Sequence, residues 1–295
     1  MPLFMLISGY LFGVSAKKRK LPELLRKRII TLIIPMAFWG CLYNIIFEDI
    51  SFFSFVKGVL NFWFLTAVLT CSIIVAFIDK LVTLTSVKIL LYIMAVGLLG
   101  ILPYRDSNIF MYPYFVIGYY FCKTYDLHKA QLNNKKILII CVFYLILLIF
   151  YRERDFINIS GIILRGSKYG FWTQLLIDIY RYVIGLVGSL AMMILANVCY
   201  KKMIGKSKIF ILLSNLGQIS MQVYILQKFL LEKALGDIIK NNYYNIIGDN
   251  LTVNNVFSSC LISPLIAIVF SIVIYSLVKF IDKCKYIKWV FGKIS

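Results

Sequence analysis

Residues 1–20 read MPLFMLISGYLFGVSAKKRK. The run Pro2–Ala16 carries no charged side chain, and four consecutive basic residues, Lys17–Lys20, follow it directly. An apolar run that ends in a basic cluster is typical of a membrane helix that reaches the cytoplasmic surface of the bilayer. The opening of the chain therefore predicts the end of a transmembrane helix.

The composition extends this interpretation to the whole chain. Its 295 residues are 61% hydrophobic, with a mean hydropathy of +0.85, whereas globular domains are about 45–50% apolar. Because about 20 helical residues cross a hydrocarbon layer, we predict an all-α fold, a multi-pass transmembrane helix bundle that forms one domain over residues 1–295. The nine predicted segments, of which the first, fifth and sixth are short for complete spans, are 1–16, 29–47, 61–80, 87–104, 108–122, 137–152, 173–199, 209–232 and 257–281.

The net charge of +19 would indicate nucleic-acid binding in a soluble protein, but its distribution favours a topological role. If the nine segments cross in alternation, one set of connections carries 22 Lys and Arg residues and the other carries 8. The positive-inside rule assigns the richer set to the cytoplasm. We therefore expect Met1 outside, Ser295 in the cytoplasm, the lipid bilayer as a partner and no nucleic acid.

The predicted topology makes the start of the chain unusual. A first helix of about 15 residues that begins on the outer face, with no signal-like segment before it, is hard to insert. We expect that an inside-to-outside helix is missing and that the domain is N-terminally incomplete, through truncation or a mis-assigned start. The alternative is an unusual natural start.

Cysteines and the single histidine predict no metal or disulfide site. The seven cysteines show no paired spacing, so they are expected to fill space in the bundle. His128 lies in a predicted cytoplasmic connection without other metal-ligating residues at suitable spacing. Neither a phosphate-binding loop nor a serine nucleophile motif is present.

Charged residues within the seventh segment are more informative. Asp178 and Arg181 are three residues apart, and Gly185 and Gly188 continue the same helix face. This face predicts an ion pair followed by small residues. One interpretation is close helix packing around an internally neutralised pair, and the other is the charged wall of a functional cavity.

The eighth segment carries a polar stripe. Gly217, Ser220, Tyr224, Gln227 and Lys228 fall within an arc of about 100° at 100° per residue. Such a stripe is expected to face other helices. With the predicted topology, polar residues from four helices gather toward the outer side: Asn44, Glu48, Asn61, Trp63, Asp178, Arg181, Gln227 and Lys228.

Six stretches, in order, carry a family resemblance. They are PLFMLISGYLF (2–12), KRIITLIIPMAFWG (27–40), FWFLTAVL (62–69), YFVIGYYFCK (114–123), YRYVIGLVGSLAMMIL (180–195) and LGQISMQVYILQ (216–227). Together they resemble the acyltransferase-3 family of integral-membrane O-acyltransferases, which modify bacterial surface and exported sugars. The resemblance runs nearly from end to end.

The chain departs from the family pattern at the residues implicated in chemistry. Members normally have ten helices, and the first carries an arginine and a histidine implicated in acyl transfer; a further histidine often precedes the motif that begins here at Pro2. None has a counterpart in this sequence. Gln227 also stands where many relatives have histidine. The resemblance therefore implies the family's fold, while the chain as written lacks part of the family's catalytic set.

The family's reaction assigns roles to the remaining polar residues. Acyl transfer to a sugar hydroxyl needs a proton acceptor and donors for the developing oxyanion. Arg181, Tyr224 and Gln227 are candidates to orient the acceptor or the oxyanion, and Asp178 is a candidate base that pairing with Arg181 would weaken. The candidate substrate-binding residues are Trp63, Asn44, Glu48 and Lys228.

The basic cluster near the start is the candidate donor site. Its cations are expected to hold the phosphates of coenzyme A, and the alternative is a purely topogenic role with anionic lipid as partner. No permanently bound cofactor is expected, since acyl-CoA, in the first place acetyl-CoA, is the donor substrate. The residues of this cluster are Lys17, Lys18, Arg19, Lys20, Arg26, Lys27 and Arg28.

The leading interpretation is a multi-pass O-acyltransferase of the bacterial inner membrane that transfers an acetyl group to a cell-surface or exported polysaccharide. The alternatives are a transporter or flippase for a lipid-linked sugar and a catalytically dead remnant. The absence of a visible internal repeat argues against the transporter.

Overall fold

A computed structural model of the chain describes residues 1–47, 51–60, 62–101, 106–124, 134–163, 166–202, 208–229, 263–283 and 288–292. These residues are mostly helical, which confirms the all-α fold class. The helices are α1 Pro2–Lys18, α2 Leu21–Phe47, α3 Phe52–Leu60, α4 Trp63–Leu81, α5 Thr85–Ile101, α6 Asp106–Thr124, α7 Asn134–Ile149, α8 Ile157–Ser160, α9 Phe171–Lys202, α10 Lys208–Gln218, α11 Ser220–Phe229 and α12 Ser263–Lys283.

Short elements occur near two of these helices. Between α7 and α9, a 3₁₀ turn at Glu153–Asp155 precedes α8, and two-residue strands β1 (Gly161–Ile162) and β2 (Gly166–Ser167) pair antiparallel. A second 3₁₀ turn, Lys288–Phe291, follows α12.

Several helices suit a hydrocarbon environment. Leu21–Phe47, Trp63–Leu81 and Phe171–Cys199 are long and apolar enough to cross a membrane, and Thr85–Gly100 and Ala267–Ile281 are shorter apolar helices. These are the spans of the described part of the chain. Together with the helical fold, they show a membrane protein.

The chain divides into two compact units. The first comprises Met1–Ile29 and Trp63–Ile204, and the second comprises Ile30–Phe62 and Gly205–Ser295.

In the first unit, α1 and α6 pack at very short range through glycine. A Cβ atom added at Gly9 would lie 2.9 Å from the carbonyl carbon of Phe115, and one at Gly118 would lie 2.9 Å from that of Leu6. Small residues allow this close approach between membrane helices. The ring of Phe12 fills the space beyond them, with its centroid 5.8 Å from that of Phe115.

The face of α9 that carries Gly185 and Gly188 also meets other helices, as predicted. An added Cβ at Gly185 would lie 3.0 Å from Cζ of Tyr114 in α6, and one at Gly188 would lie 2.7 Å from Cε2 of Tyr144 in α7. The Tyr114 hydroxyl donates to the Arg181 carbonyl over 3.3 Å. Glycine thus brings α6 and α7 against α9 directly beside Arg181.

In the second unit, the later part of α2 packs against α3 and the C-terminal turn. An added Cβ at Gly40 would lie 2.8 Å from the Val59 nitrogen. The rings of Trp39 and Phe291 stack with centroids 5.6 Å apart. Gly292 follows with a φ of +68°, a left-handed conformation that glycine adopts without steric cost.

The basic turn predicted after the first segment is shorter than expected. α1 continues to Lys18 and α2 begins at Leu21, so Arg19 and Lys20 alone connect them. Lys and Arg have good helix propensity, and cations in the last turn of α1 complement its dipole. The basic residues therefore lie on helix ends as well as in the connection.

Two further differences concern the second unit. The predicted segment 209–232 is interrupted, because α10 ends at Gln218 and α11 begins at Ser220. Helix α3, which lies between the second and third predicted segments, was not predicted from the sequence.

Candidate functional site

Arg181 binds the connection between α7 and α9 through its whole guanidinium group. Its side chain is 3% exposed. Nε donates to the Asp155 carbonyl over 2.6 Å, and Nη1 donates to the Gly161 carbonyl over 2.7 Å. Nη2 donates to the carbonyls of Arg154 (3.2 Å) and Phe156 (2.9 Å) and to the Ser160 hydroxyl.

Asp178 completes this arrangement, which we name the Arg181 network: Gln174, Asp178, Arg181, Ser160 and the bound carbonyls. Asp178 Oδ1 accepts from Arg181 Nη1 over 2.8 Å and from Gln174 Nε2 over 2.9 Å. Its Oδ2 accepts from the backbone N–H of Ile163 over 3.0 Å. The predicted ion pair between Asp178 and Arg181 is therefore confirmed.

The network is buried from end to end. Gln174 is 0% exposed, Ser160 1% and Asp178 7%. A buried ion pair is tolerated when further hydrogen bonds satisfy both groups, and here the carbonyls and the Ile163 N–H supply them. Asp155 continues the network, because its carboxylate accepts from the Arg152 N–H over 2.8 Å.

This geometry favours the packing interpretation of Arg181. Guanidinium carries five N–H groups, and Arg181 directs them at six acceptors within the chain. No N–H group remains for an oxyanion or a sugar. Arg181 fixes the course of residues 154–163, and the catalytic role of Arg181 and Asp178 stays a prediction.

Trp63 belongs to the same unit and begins α4. Its side chain is half-buried and packs edge-to-face on Phe64, with centroids 6.1 Å apart. Its carbonyl accepts from the Thr66 hydroxyl over 3.1 Å. The substrate-binding role of Trp63 stays a prediction, and Glu48 and Asn61 lie outside the described residues.

The remaining predicted site residues lie in the second unit. Asn44 is 4% exposed, lies against Gly58 of α3, and its amide has no hydrogen-bond partner within the described part of the chain. Tyr224 and Lys228 are half-buried, and the Tyr224 ring contacts that of Phe62 with centroids 6.4 Å apart. Their roles in binding or catalysis stay predictions.

The prediction that the polar stripe of the eighth segment faces other helices is wrong for three of its residues. Gly217, Ser220 and Gln227 are exposed, and the buried residues of α11 include Ile225 and Leu226. Van der Waals packing drives helix association within a membrane, and the large side chains of Ile225 and Leu226 supply the packed face of α11. Gln227, one of the predicted catalytic residues, is therefore exposed.

Lys17 and Arg28 of the basic cluster contact other parts of the first unit. Lys17 Nζ donates to the Cys122 carbonyl over 2.7 Å, at the end of α6. The guanidinium of Arg28 lies 5.6 Å from the centroid of the Phe12 ring. The exposed members are Lys17, Lys18, Arg19, Lys20, Arg26 and Lys27.

A second charged cluster, at Asp79, was not predicted from the sequence. Its carboxylate accepts from Lys88 over 2.6 Å, from Lys123 over 2.9 Å and from the Tyr119 hydroxyl over 2.5 Å. The only sign of this cluster in the sequence is an aspartate near the end of an apolar segment. Its partners lie 9 to 44 residues away along the chain, so local spacing did not reveal them.

A comparison with protein families matches the acyltransferase domain over residues 1–277. No curated protein and no solved structure matches the chain significantly. The matched region contains the Arg181 network, the Asp79 cluster and the α1–α6 contact. Because one family accounts for most of the sequence, the chain belongs to the acyltransferase-3 family, as its motifs predicted.

Proposed function

We propose that this membrane acyltransferase transfers an acetyl group from acetyl-CoA to a hydroxyl of a cell-surface or exported polysaccharide, at the bacterial inner membrane. Family membership supports acyl transfer in general. The excess of basic residues in one set of connections supports a cytoplasmic site for the acyl donor and an outer site for the sugar acceptor. In the reaction, the sugar oxygen attacks the thioester carbonyl carbon, the C–S bond breaks, and coenzyme A leaves with the proton from the hydroxyl.

The observation that carries the proposal is the Arg181 network. Charged residues within membrane helices are costly and usually mark functional regions, and this pair orders a polar connection at the predicted outer end of α7 and α9. Arg181 acts here as a positioning residue, because its N–H groups all bind the chain itself. The ordered connection is then available as one wall of the acceptor site.

The exposed cations near the α1–α2 connection are the proposed donor contacts. Lys18, Arg19, Lys20 and Arg26 are exposed, and charge-assisted bonds to phosphate are stronger than neutral ones. Lys17 serves the fold through its bond to Cys122. Trp63, a half-buried aromatic ring of the same unit, is a proposed acceptor contact.

Membranes that contain the chain test the proposal directly. They are incubated with acetyl-labelled acetyl-CoA and the host's polysaccharide fraction, beside membranes from cells without the gene. We expect label in the polysaccharide that mild alkali releases, because O-acetyl esters are alkali-labile. Absence of such label with folded protein present would overturn the proposal, and movement of lipid-linked sugar without label would support the transporter.

A further inference from the structure

A groove between α5 and α6 opens on the surface of the first unit. It encloses about 330 Å³, at the lower end of the range of about 300–1,000 Å³ for ligand pockets. Its wall is apolar, with Ile89, Ile93 and Val96 from α5 and Tyr112, Val116 and Ile117 from α6. Such a lining suits a hydrocarbon chain better than a sugar.

The groove lies on an exposed apolar surface of α5 and α6. Ile93 is 64% exposed and Ile117 is 40% exposed. On the same helix α5, Leu90, Met94 and Leu98 are also exposed. Large exposed apolar surfaces are uncommon in water, and membrane helices present them to lipid.

The Asp79 cluster lies at one end of this groove. Lys88 directly precedes Ile89, and Lys123 lies one helical turn beyond Tyr120, another groove residue. Both ammonium groups bind the Asp79 carboxylate, so the cluster has one positive charge in excess. Lysine carries three N–H groups, and the Lys88 side chain, 15% exposed, gives one of them to Asp79.

Charge and shape together identify the occupant. We propose that an anionic phospholipid binds here, with one acyl chain in the groove between α5 and α6 and its phosphate on Lys88 and Lys123. The predicted topology puts this end of the bundle at the cytoplasmic leaflet, whose anionic lipids attract basic groups. The groove residues Ile89 to Val96 span about 10.5 Å along α5 at 1.5 Å per residue, enough for part of one chain.

Photocrosslinking tests the site on the purified, folded chain in lipid nanodiscs. The probe is phosphatidylglycerol with a diazirine on one acyl chain, beside phosphatidylcholine with the same group. We expect labelled peptides from α5 and α6 with phosphatidylglycerol, and about fivefold less labelling with phosphatidylcholine, from about 1 kcal/mol for the single excess positive charge of the cluster. Equal labelling by the two lipids would overturn the proposal.

Two variants separate the charge from the groove. The first is a triple variant that removes the negative charge and both positive charges together: Asp79→Asn, Lys88→Gln and Lys123→Gln. No buried charge is then left unpaired. Labelling by phosphatidylglycerol should fall about fivefold, from the loss of one net charge. Val96→Trp fills the groove and should also reduce labelling of α5 and α6. Unchanged labelling in either folded variant would contradict the proposal.

Matched controls use the same helices or the same chemistry. Lys135→Gln with Lys136→Gln removes two exposed lysines at the start of α7, and Met94→Trp enlarges a side chain on α5 that does not line the groove. The phosphatidylglycerol probe should label both control variants as strongly as the unchanged protein. Displacement of the probe by long-chain acyl-CoA as readily as by phosphatidylglycerol would assign the groove to a donor chain and overturn the lipid site. The result is independent of whether acetyl transfer occurs.

Discussion

Arg181 and Asp178 lie three residues apart on α9 and bond directly, Nη1 to Oδ1, over 2.8 Å. The same guanidinium holds the carbonyls of the preceding connection. The ion pair therefore serves as the anchor of residues 154–163, in addition to neutralising two charges within the bundle.

Arg181→Gln should destabilise the protein strongly. Removing one partner of a buried pair costs about 3–5 kcal/mol, and the bound carbonyls lose their donor as well. The melting temperature in detergent should fall strongly, and the backbone amides of residues 154–163 should exchange faster with solvent.

Arg154→Gln is the matched control for that change. Arg154 lies in the same connection, but its side chain is exposed and its carbonyl alone contacts Arg181. Its effect should stay within about 0.5 kcal/mol. Equal decreases in melting temperature for Arg181→Gln and Arg154→Gln would contradict the anchoring role of Arg181.

Gly118→Ala should destabilise the contact between α1 and α6. The added methyl group would press on the backbone carbonyl of Leu6, and such overpacking costs about 1–3 kcal/mol. Gly97→Ala in α5 is the control, because a Cβ there meets nothing within 4 Å. Replacing an exposed helical glycine should stabilise by about 0.5–1 kcal/mol, so melting temperatures that shift in the same direction would contradict this packing.

Two tyrosines of α6 should respond oppositely to replacement by phenylalanine. The buried Tyr112 hydroxyl has no hydrogen-bond partner within the described ranges, so Tyr112→Phe should be neutral or stabilising, by up to about 1–3 kcal/mol. The Tyr119 hydroxyl donates to Asp79, and losing a bond to a charged group costs about 1.5–3 kcal/mol. Thermal unfolding of both variants in detergent should show that Tyr119→Phe is the less stable of the two. A less stable Tyr112→Phe would count against this prediction.

The ends of α7 provide a test of the predicted topology. Glu153 and Lys135 are both exposed and lie beyond opposite ends of the apolar part of the helix. On intact cells, a membrane-impermeant maleimide should label Glu153→Cys and leave Lys135→Cys unlabelled, relative to the protein without an added cysteine. The opposite pattern would invert the topology. Ser160 is unsuitable as a probe because it is 1% exposed.

Hydropathy predicted most of the fold because burial in lipid needs long apolar helices, whatever their partners. The pair Asp178 and Arg181 was also predictable, since residues three apart meet on one helix face. The helix break at Ile219 was not, because no proline interrupts the apolar run at that point.

The partners of Arg181 were beyond sequence reasoning for a different reason. Most are backbone carbonyls, which every residue carries, and their positions depend on how the connection folds back on α9. The sequence therefore predicted a charged site but not what it binds. The same applies to Asp79, whose lysine partners come from two other helices.

The O-acetyl content of the host's surface polysaccharides tests the proposed function most directly. Proton magnetic resonance of polysaccharide from the native host, before and after mild alkali, measures the ester-bound acetyl groups. Deleting the gene should remove an O-acetyl signal, and restoring the gene should return it. Unchanged O-acetyl content in every surface and exported polysaccharide, with the protein present in the restored strain, would contradict the account.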